Sequence, residues 1–241
     1  MKNFLLLLPI AILYGCGGVA TTEKKSNETN YALITESSEN EPAQSTIQIL
    51  YPIEAKSAHE YPQEYDSLFV NLNGYKYSIS TESGEIIEKC INGSSTKNFK
   101  LQTNGFINNF YLLHYDNNLL VYHCDTDGED GVSFIELLDR KTGESIFWSH
   151  IPGFNLGQPI VVGEKSYVTT IGFVGKIDLL TGNYDWQYDD LYDHQIGSFN
   201  SFDSISIIND TVKFISEHYM TKTIDKVLVA NKSGKLLQIL K

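Results

Sequence analysis

From about residue 65 to the C-terminus, apolar and polar residues alternate in short runs that are broken by Gly, Asn-Asp or Ser/Thr-Gly pairs. A period of two with turn residues at the breaks predicts half-buried β-strands. The clearest unit reads as strands over Gln158–Val162, Lys165–Ile171, Lys176–Leu179 and Tyr184–Trp186, with Gly163-Glu164 and Gly172–Gly175 as turns. Four short strands in roughly 40 residues is the layout of one propeller blade.

The pattern recurs. Four segments pair an alternating strand with Ser or Thr followed by Gly and a second short strand, and their glycines are Gly84, Gly143, Gly182 and Gly234. Gly supplies positive φ without steric cost, and Asp139, Asp178 and Ser80, four residues earlier, can accept hydrogen bonds from the turn backbone. Ala230 stands at that place in the last copy. Each copy is predicted to be a hairpin joining inner and outer strands of a unit.

Gly175-Lys-Ile-Asp-Leu-Leu-Thr-Gly-Asn-Tyr-Asp-Trp186, and more loosely Leu138-Asp-Arg-Lys-Thr-Gly-Glu-Ser-Ile-Phe-Trp148, resembles the PQQ-like β-propeller repeat, whose core is a strand, Asp, Thr-Gly and a following Trp. The first and last copies lack the Trp. The resemblance implies an all-β chain, a small closed propeller of four or five blades or an incomplete ring, with residues 47–64 contributing strands. One domain is expected over 47–241, with no Pro-rich or polar linker dividing 65–241.

Ahead of this domain, Lys2 precedes an apolar run from Phe4 to Tyr14, too short for a bilayer-spanning helix, which needs about 20 residues. Leu13-Tyr-Gly-Cys16 is similar to the lipobox of bacterial lipoproteins, which implies a signal peptide over 1–15 and acylation of Cys16. Gly17 rather than Asp after that Cys implies the outer membrane, on its periplasmic face, in a Gram-negative cell. Residues 16–46, rich in Thr, Glu, Ser, Asn and Lys, have too little apolar surface to offset their ordering entropy and are expected to be a flexible tether.

Charge narrows the partner class. With 18 Lys+Arg against 30 Asp+Glu the net charge is −12, and loss of Lys2 makes it −13, which argues against nucleic acid. Two cysteines remain outside the lipobox, Cys90 and Cys124. In an oxidising compartment they form either one bridge, worth about 3 to 4 kcal/mol, or two separate thiols.

Chemistry-bearing motifs are sparse. Asp125-Thr-Asp-Gly-Glu-Asp-Gly131 places Asp125, Asp127, Glu129 and Glu136 at EF-hand-like spacing, but Asp130 occupies the position that needs Gly. An acidic hairpin tip is the expectation. His59, His114, His123, His150, His194 and His218 form no zinc spacing, and there is no nucleophile elbow or phosphate loop. His123 and Cys124, adjacent on a strand, should face opposite ways.

No catalytic residue, metal site, cofactor or small-molecule substrate is therefore expected. Quinoprotein dehydrogenases of the resembled class are longer and use an adjacent-Cys disulfide, a calcium site and an acidic base, so a quinone-dependent enzyme is the least favoured reading. The segment with most character is Tyr184–His194, where Tyr188, Asp189, Asp190, Tyr192 and Asp193 combine aromatic contact area with carboxylates. The resulting expectation is a non-catalytic, membrane-tethered protein-binding scaffold whose partner has a basic surface. The alternative is an immunity lipoprotein that neutralises a secreted antibacterial toxin.

Overall fold

The computed structural model describes residues 47–49, 67–126, 131–197, 200–218 and 220–241; the expected signal peptide, Cys16 and tether lie outside the described residues. Every regular element among the described residues is a strand. β1 (Ile47–Ile49) comes first in the chain. The first sheet is then β2 (Ser67–Leu72), β3 (Tyr75–Ser80), β4 (Glu85–Cys90) and β5 (Thr96–Lys100); the second is β6 (Phe106–Tyr115), β7 (Asn118–Thr126), β8 (Gly131–Asp139) and β9 (Ser145–Ile151). The third is β10 (Ile160–Val162), β11 (Lys165–Thr170), β12 (Phe173–Asp178) and β13 (Tyr184–Tyr188); the fourth is β14 (Ser204–Ile208), β15 (Thr211–Glu217), β16 (Ile224–Ala230) and β17 (Leu236–Leu240). Each sheet is an antiparallel meander in chain order, and β1 pairs with β10 on the inner edge of the third. The described residues are thus all-β and form four propeller-like blades.

Both faces of the middle blades are buried, because each strand sends alternate residues to opposite neighbours. Ile79 and Phe99 of the first blade pack with Phe110 and Val121 of the second. On the other face of the second blade, Tyr122 and Ile135 meet Val168 and Phe173 of the third. Tyr167 and Val174 then meet Phe214 and Val227 of the fourth. Each fully buried ring contributes about 1.5 to 3 kcal/mol through removal of apolar surface from water.

One position repeats between blades. Two residues into the second strand and two from the end of the third, the cross-strand pairs are Tyr77–Glu88, Leu120–Leu137, Tyr167–Lys176 and Lys213–Leu228. The first residue of the next blade's outer turn covers each of the first three pairs. Arg140 donates to both Glu88 carboxylate oxygens at 3.0 Å. Leu179 joins Leu120 and Leu137 in one apolar cluster. Asn231 accepts from Tyr167 at 2.7 Å through its side chain and from Lys176 at 3.1 Å through its carbonyl. The same joint is therefore ionic, apolar and polar in turn.

At the two ends the joint is unmade. Lys213 and Leu228 are only half-buried, and Ile91, which holds the covering position in the first blade, is 55% exposed. On the opposite face, the pairs Leu119–Leu138, Ser166–Ile177 and Val212–Val229 are fully buried, whereas the first blade has Lys76 facing Lys89 in solvent. Like charges directly opposite are tolerated only where water screens them. Closing the arc would press Lys76 and Lys89 towards Lys213 and Lys226, so the described residues form an incomplete ring.

The turn chemistry is as expected, but one copy sits elsewhere. Gly84, Gly143, Gly182 and Gly234 each donate to the carbonyl four residues back, at 2.8 to 2.9 Å. Asp139 Oδ1 accepts from Lys141 and Thr142, Asp178 Oδ1 from Leu180 and Thr181, and Ser80 Oγ from Ser83. Gly143, Gly182 and Gly234 join third strands to fourth, while Gly84 joins the second strand to the third. The local hydrogen bonding is the same in both places, so only the number of strands that precede it distinguishes them.

The bridge expected as one option for the cysteines is not made: Cys90 and Cys124 are free thiols. Cys90 ends β4 opposite Tyr75, whereas Cys124 is buried between the second and third blades. Of the strands expected within 47–64, Ile47–Ile49 forms one. The rest of that stretch lies outside the described residues.

Candidate functional site

The turns after β3 and β11 lie beside segments that link one blade to the next, with Ile107 N donating to Thr81 O and Ile171 N to Phe154 O. After β13 the chain runs through successive turns, with His194 N and Ile196 N both donating to Leu191 O. Leu191 and Ile196 are buried in the core between the third and fourth blades. Their anchorage turns Asp189, Asp190, Tyr192, Asp193 and His194 outward.

Three of these segments enclose a crevice of about 260 Å³, lined by Pro152, Gly153, Phe154, Ile171, Gly172, Phe173, Asp189 and Tyr192. Phe154 is 51% and Tyr192 58% exposed, a high value for large rings. The walls are held by close backbone approach. Gly172 has φ 69° and donates to Gly197 O at 2.9 Å, and a Cβ built on it would lie 2.5 Å from Tyr192 Cβ. Ile171 N donates to Phe154 O at 3.1 Å.

The five residues expected to contact a partner separate into two groups. Asp189 and Tyr192 line the crevice, Asp190 lies 3.7 Å from His194, and Asp193 is exposed beside them. Tyr188 belongs to the fold instead. It is half-buried against Trp186, and its hydroxyl donates to Gly234 O. The end of a strand and the start of its exit loop have the same residue types, and only the neighbouring blade separates them. Phe154, the opposite wall, was not expected; a lone Phe in the Gly-Phe-Asn link between two strands was its only signal.

A second cluster lies between the first and second blades. His123 and Asp125, read from the sequence as an ordinary strand residue and part of a hairpin, are buried and lie 2.6 Å apart, Nδ1 to Oδ1. Asp125 Oδ2 accepts from Asn104 N at 2.9 Å, and Glu136 Oε2 accepts from Gln102 N at 3.1 Å. Among the described residues, His123 Nε2 and Glu136 Oε1 have no hydrogen-bond partner. Burial raises the Glu136 carboxyl above its ordinary value, only partly opposed by hydrogen bonds from Ser145 and the Gln102 backbone. The two carboxylates hold the backbone of the link between blades, and His123, Asp125 and Glu136 are all buried. Its sequence signal was the His-x-Asp spacing, which places both side chains on one face. Cys124 faces the other way, as expected.

No protein-family model matches the chain, and no curated protein sequence matches it. Among solved structures, it is similar to quinohemoprotein alcohol dehydrogenases. For one from Pseudomonas putida the identity is 11% and the TM-score 0.47, over 81% of this chain and 36% of the other. For one from Comamonas testosteroni the identity is 12% and the TM-score 0.46, over 81% and 37%. The WD40 domain of SCAP from fission yeast gives 11% identity and a TM-score of 0.38, over 80% and 48%. The chain thus spans less than half the length of each. The blade architecture rests on the strand orders and interblade cores described above.

Proposed function

We propose that this chain is a non-catalytic protein-binding scaffold, tethered by lipid at Cys16 to the periplasmic face of the outer membrane, and that it holds a partner with a basic surface. The observation that carries the reading is the crevice between Phe154 and Tyr192 with Asp189 at its edge and Asp190 and Asp193 beyond. Exposed aromatic rings supply contact area at low entropic cost, and carboxylates with few local partners steer a cationic surface into place. The lipobox-like Leu13–Cys16 supports the tether.

The test is capture of partner from detergent-solubilised cell envelope. The full chain is compared with a variant carrying Asp189→Lys, Asp190→Lys and Asp193→Lys, with matched circular dichroism. Loss of capture at low salt is expected, and high salt should weaken wild-type capture in the same direction. Undiminished capture by the variant rejects this surface. The acidic rim equally suits masking of a cationic secreted toxin, and an adjacent reading frame for a large secreted effector would select that reading.

A further inference from the structure

We infer that the crevice between Phe154 and Tyr192 takes the guanidinium of an arginine side chain presented by the partner, an assignment that rests on the protein-binding reading above. A space of about 260 Å³ holds one long side chain rather than a folded element. Its exposed aromatic lining residues are Phe154 and Tyr192, and its one charged lining residue is Asp189.

The chemistry of the walls selects among occupants. Asp189 is exposed, and no ion pair or hydrogen bond to it is made among the described residues, so its carboxylate faces solvent. An aliphatic or aromatic occupant would strip water from that carboxylate and give it nothing in return. A lysine ammonium is compact and strongly hydrated, and gains little from flat rings. A guanidinium is planar and weakly hydrated: it stacks on aromatic faces and can offer two parallel N–H donors to a carboxylate.

The crevice is also preformed. Gly153 has φ 85°, and a Cβ there would lie 2.5 Å from Thr170 Oγ1; at Gly172 it would strike the Tyr192 backbone. Only glycine lets these two segments approach, which fixes the spacing of the aromatic walls before any ligand arrives.

The test uses the full chain, labelled with nitrogen-15 and held in detergent micelles, titrated with N-acetyl-arginine amide. The probe's neutral isostere, N-acetyl-citrulline amide, is the control. Saturable amide shifts at Gly153, Gly172 and Tyr192 are expected with the arginine probe and absent with citrulline. Asp189→Asn should weaken the response at least fivefold, and Tyr192→Phe should retain it. Equal response to both probes, or none, overturns the assignment. If charge reversal abolishes partner capture while the arginine probe moves nothing, the scaffold reading stands and the arginine assignment falls. If the probe binds while capture survives charge reversal, the crevice accepts a guanidinium but not the partner's, and the assignment of a partner arginine to it falls.

Discussion

Arg140 of the second blade holds Glu88 of the first in a two-pronged contact, Nε to Oε2 and Nη2 to Oε1, both at 3.0 Å. Tyr77 adds a hydrogen bond to Glu88 Oε2 at 2.6 Å. Burial pushes the Glu88 carboxyl up, but the hydrogen bonds from Arg140 and Tyr77 together outweigh it and hold it below the ordinary value. The next joint in the arc makes the same connection with Leu120, Leu137 and Leu179. A charged joint is therefore not a requirement of the geometry.

Removing one member of the ionic joint should cost more than removing both charges. Arg140→Leu leaves Glu88 buried without its cation and is expected to lose about 3 to 5 kcal/mol. Adding Glu88→Leu, in imitation of the leucine joint, should recover most of that loss. Urea unfolding midpoints of the two variants measure the difference, and equal losses would contradict this account.

The turn glycines should differ in sensitivity according to what lies above them. Gly234→Ala meets both a φ of 67° and Trp186 Cβ at 2.5 Å, whereas Gly74, at φ 80°, has nothing within 4 Å. Gly74→Ala should cost about 1 to 2 kcal/mol from conformation alone. Gly234→Ala should cost about 1 to 3 kcal/mol more through overpacking, read as a lower unfolding midpoint.

The two buried glutamates should bend stability against pH in opposite directions. The folded state holds the Glu136 proton more tightly than the ordinary value of 4.5, so stability falls as pH rises from there to the raised folded value. Glu88 is depressed, so its contribution is present above 4.5 and is lost as pH falls towards the lowered value. Denaturation midpoints from about pH 3 to 8 should show a flatter neutral side for Glu136→Gln and a flatter acid side for Glu88→Gln. Unchanged profiles in both variants would refute the assignment.

Leu191 should act as the anchor of the outward-facing Asp-Tyr-Asp segment. It is 1% exposed, and Leu191→Ala is expected to destabilise the fold by about 2 to 5 kcal/mol. Hydrogen exchange should quicken first at Gln195 and Ile196, whose amides bond within this segment.

Much of the fold was legible before any contact was known. Strand alternation, the Asp139 and Asp178 turns and the opposite facing of His123 and Cys124 follow from a side-chain period of two and from short polar side chains that bond nearby backbone. That Lys76 and Lys89 lie on an uncovered flank was decided by the packing, since the sequence left a closed or an incomplete ring open. The recurrent glycine chemistry was equally visible, yet Gly84 belongs to a different hairpin from its three counterparts.

Local sequence determined which residues share a face, because the pleat repeats within a few residues. Which face meets which was decided only in the tertiary structure. Arg140 reaches Glu88 across 52 positions, and Phe154 comes to Tyr192 through packed blades rather than through any spacing. Tyr188 and Tyr192 have the same residue type four positions apart, yet one closes a core and the other opens a crevice. Burial depends on what the next blade supplies at that point, and that is a property of the whole arc.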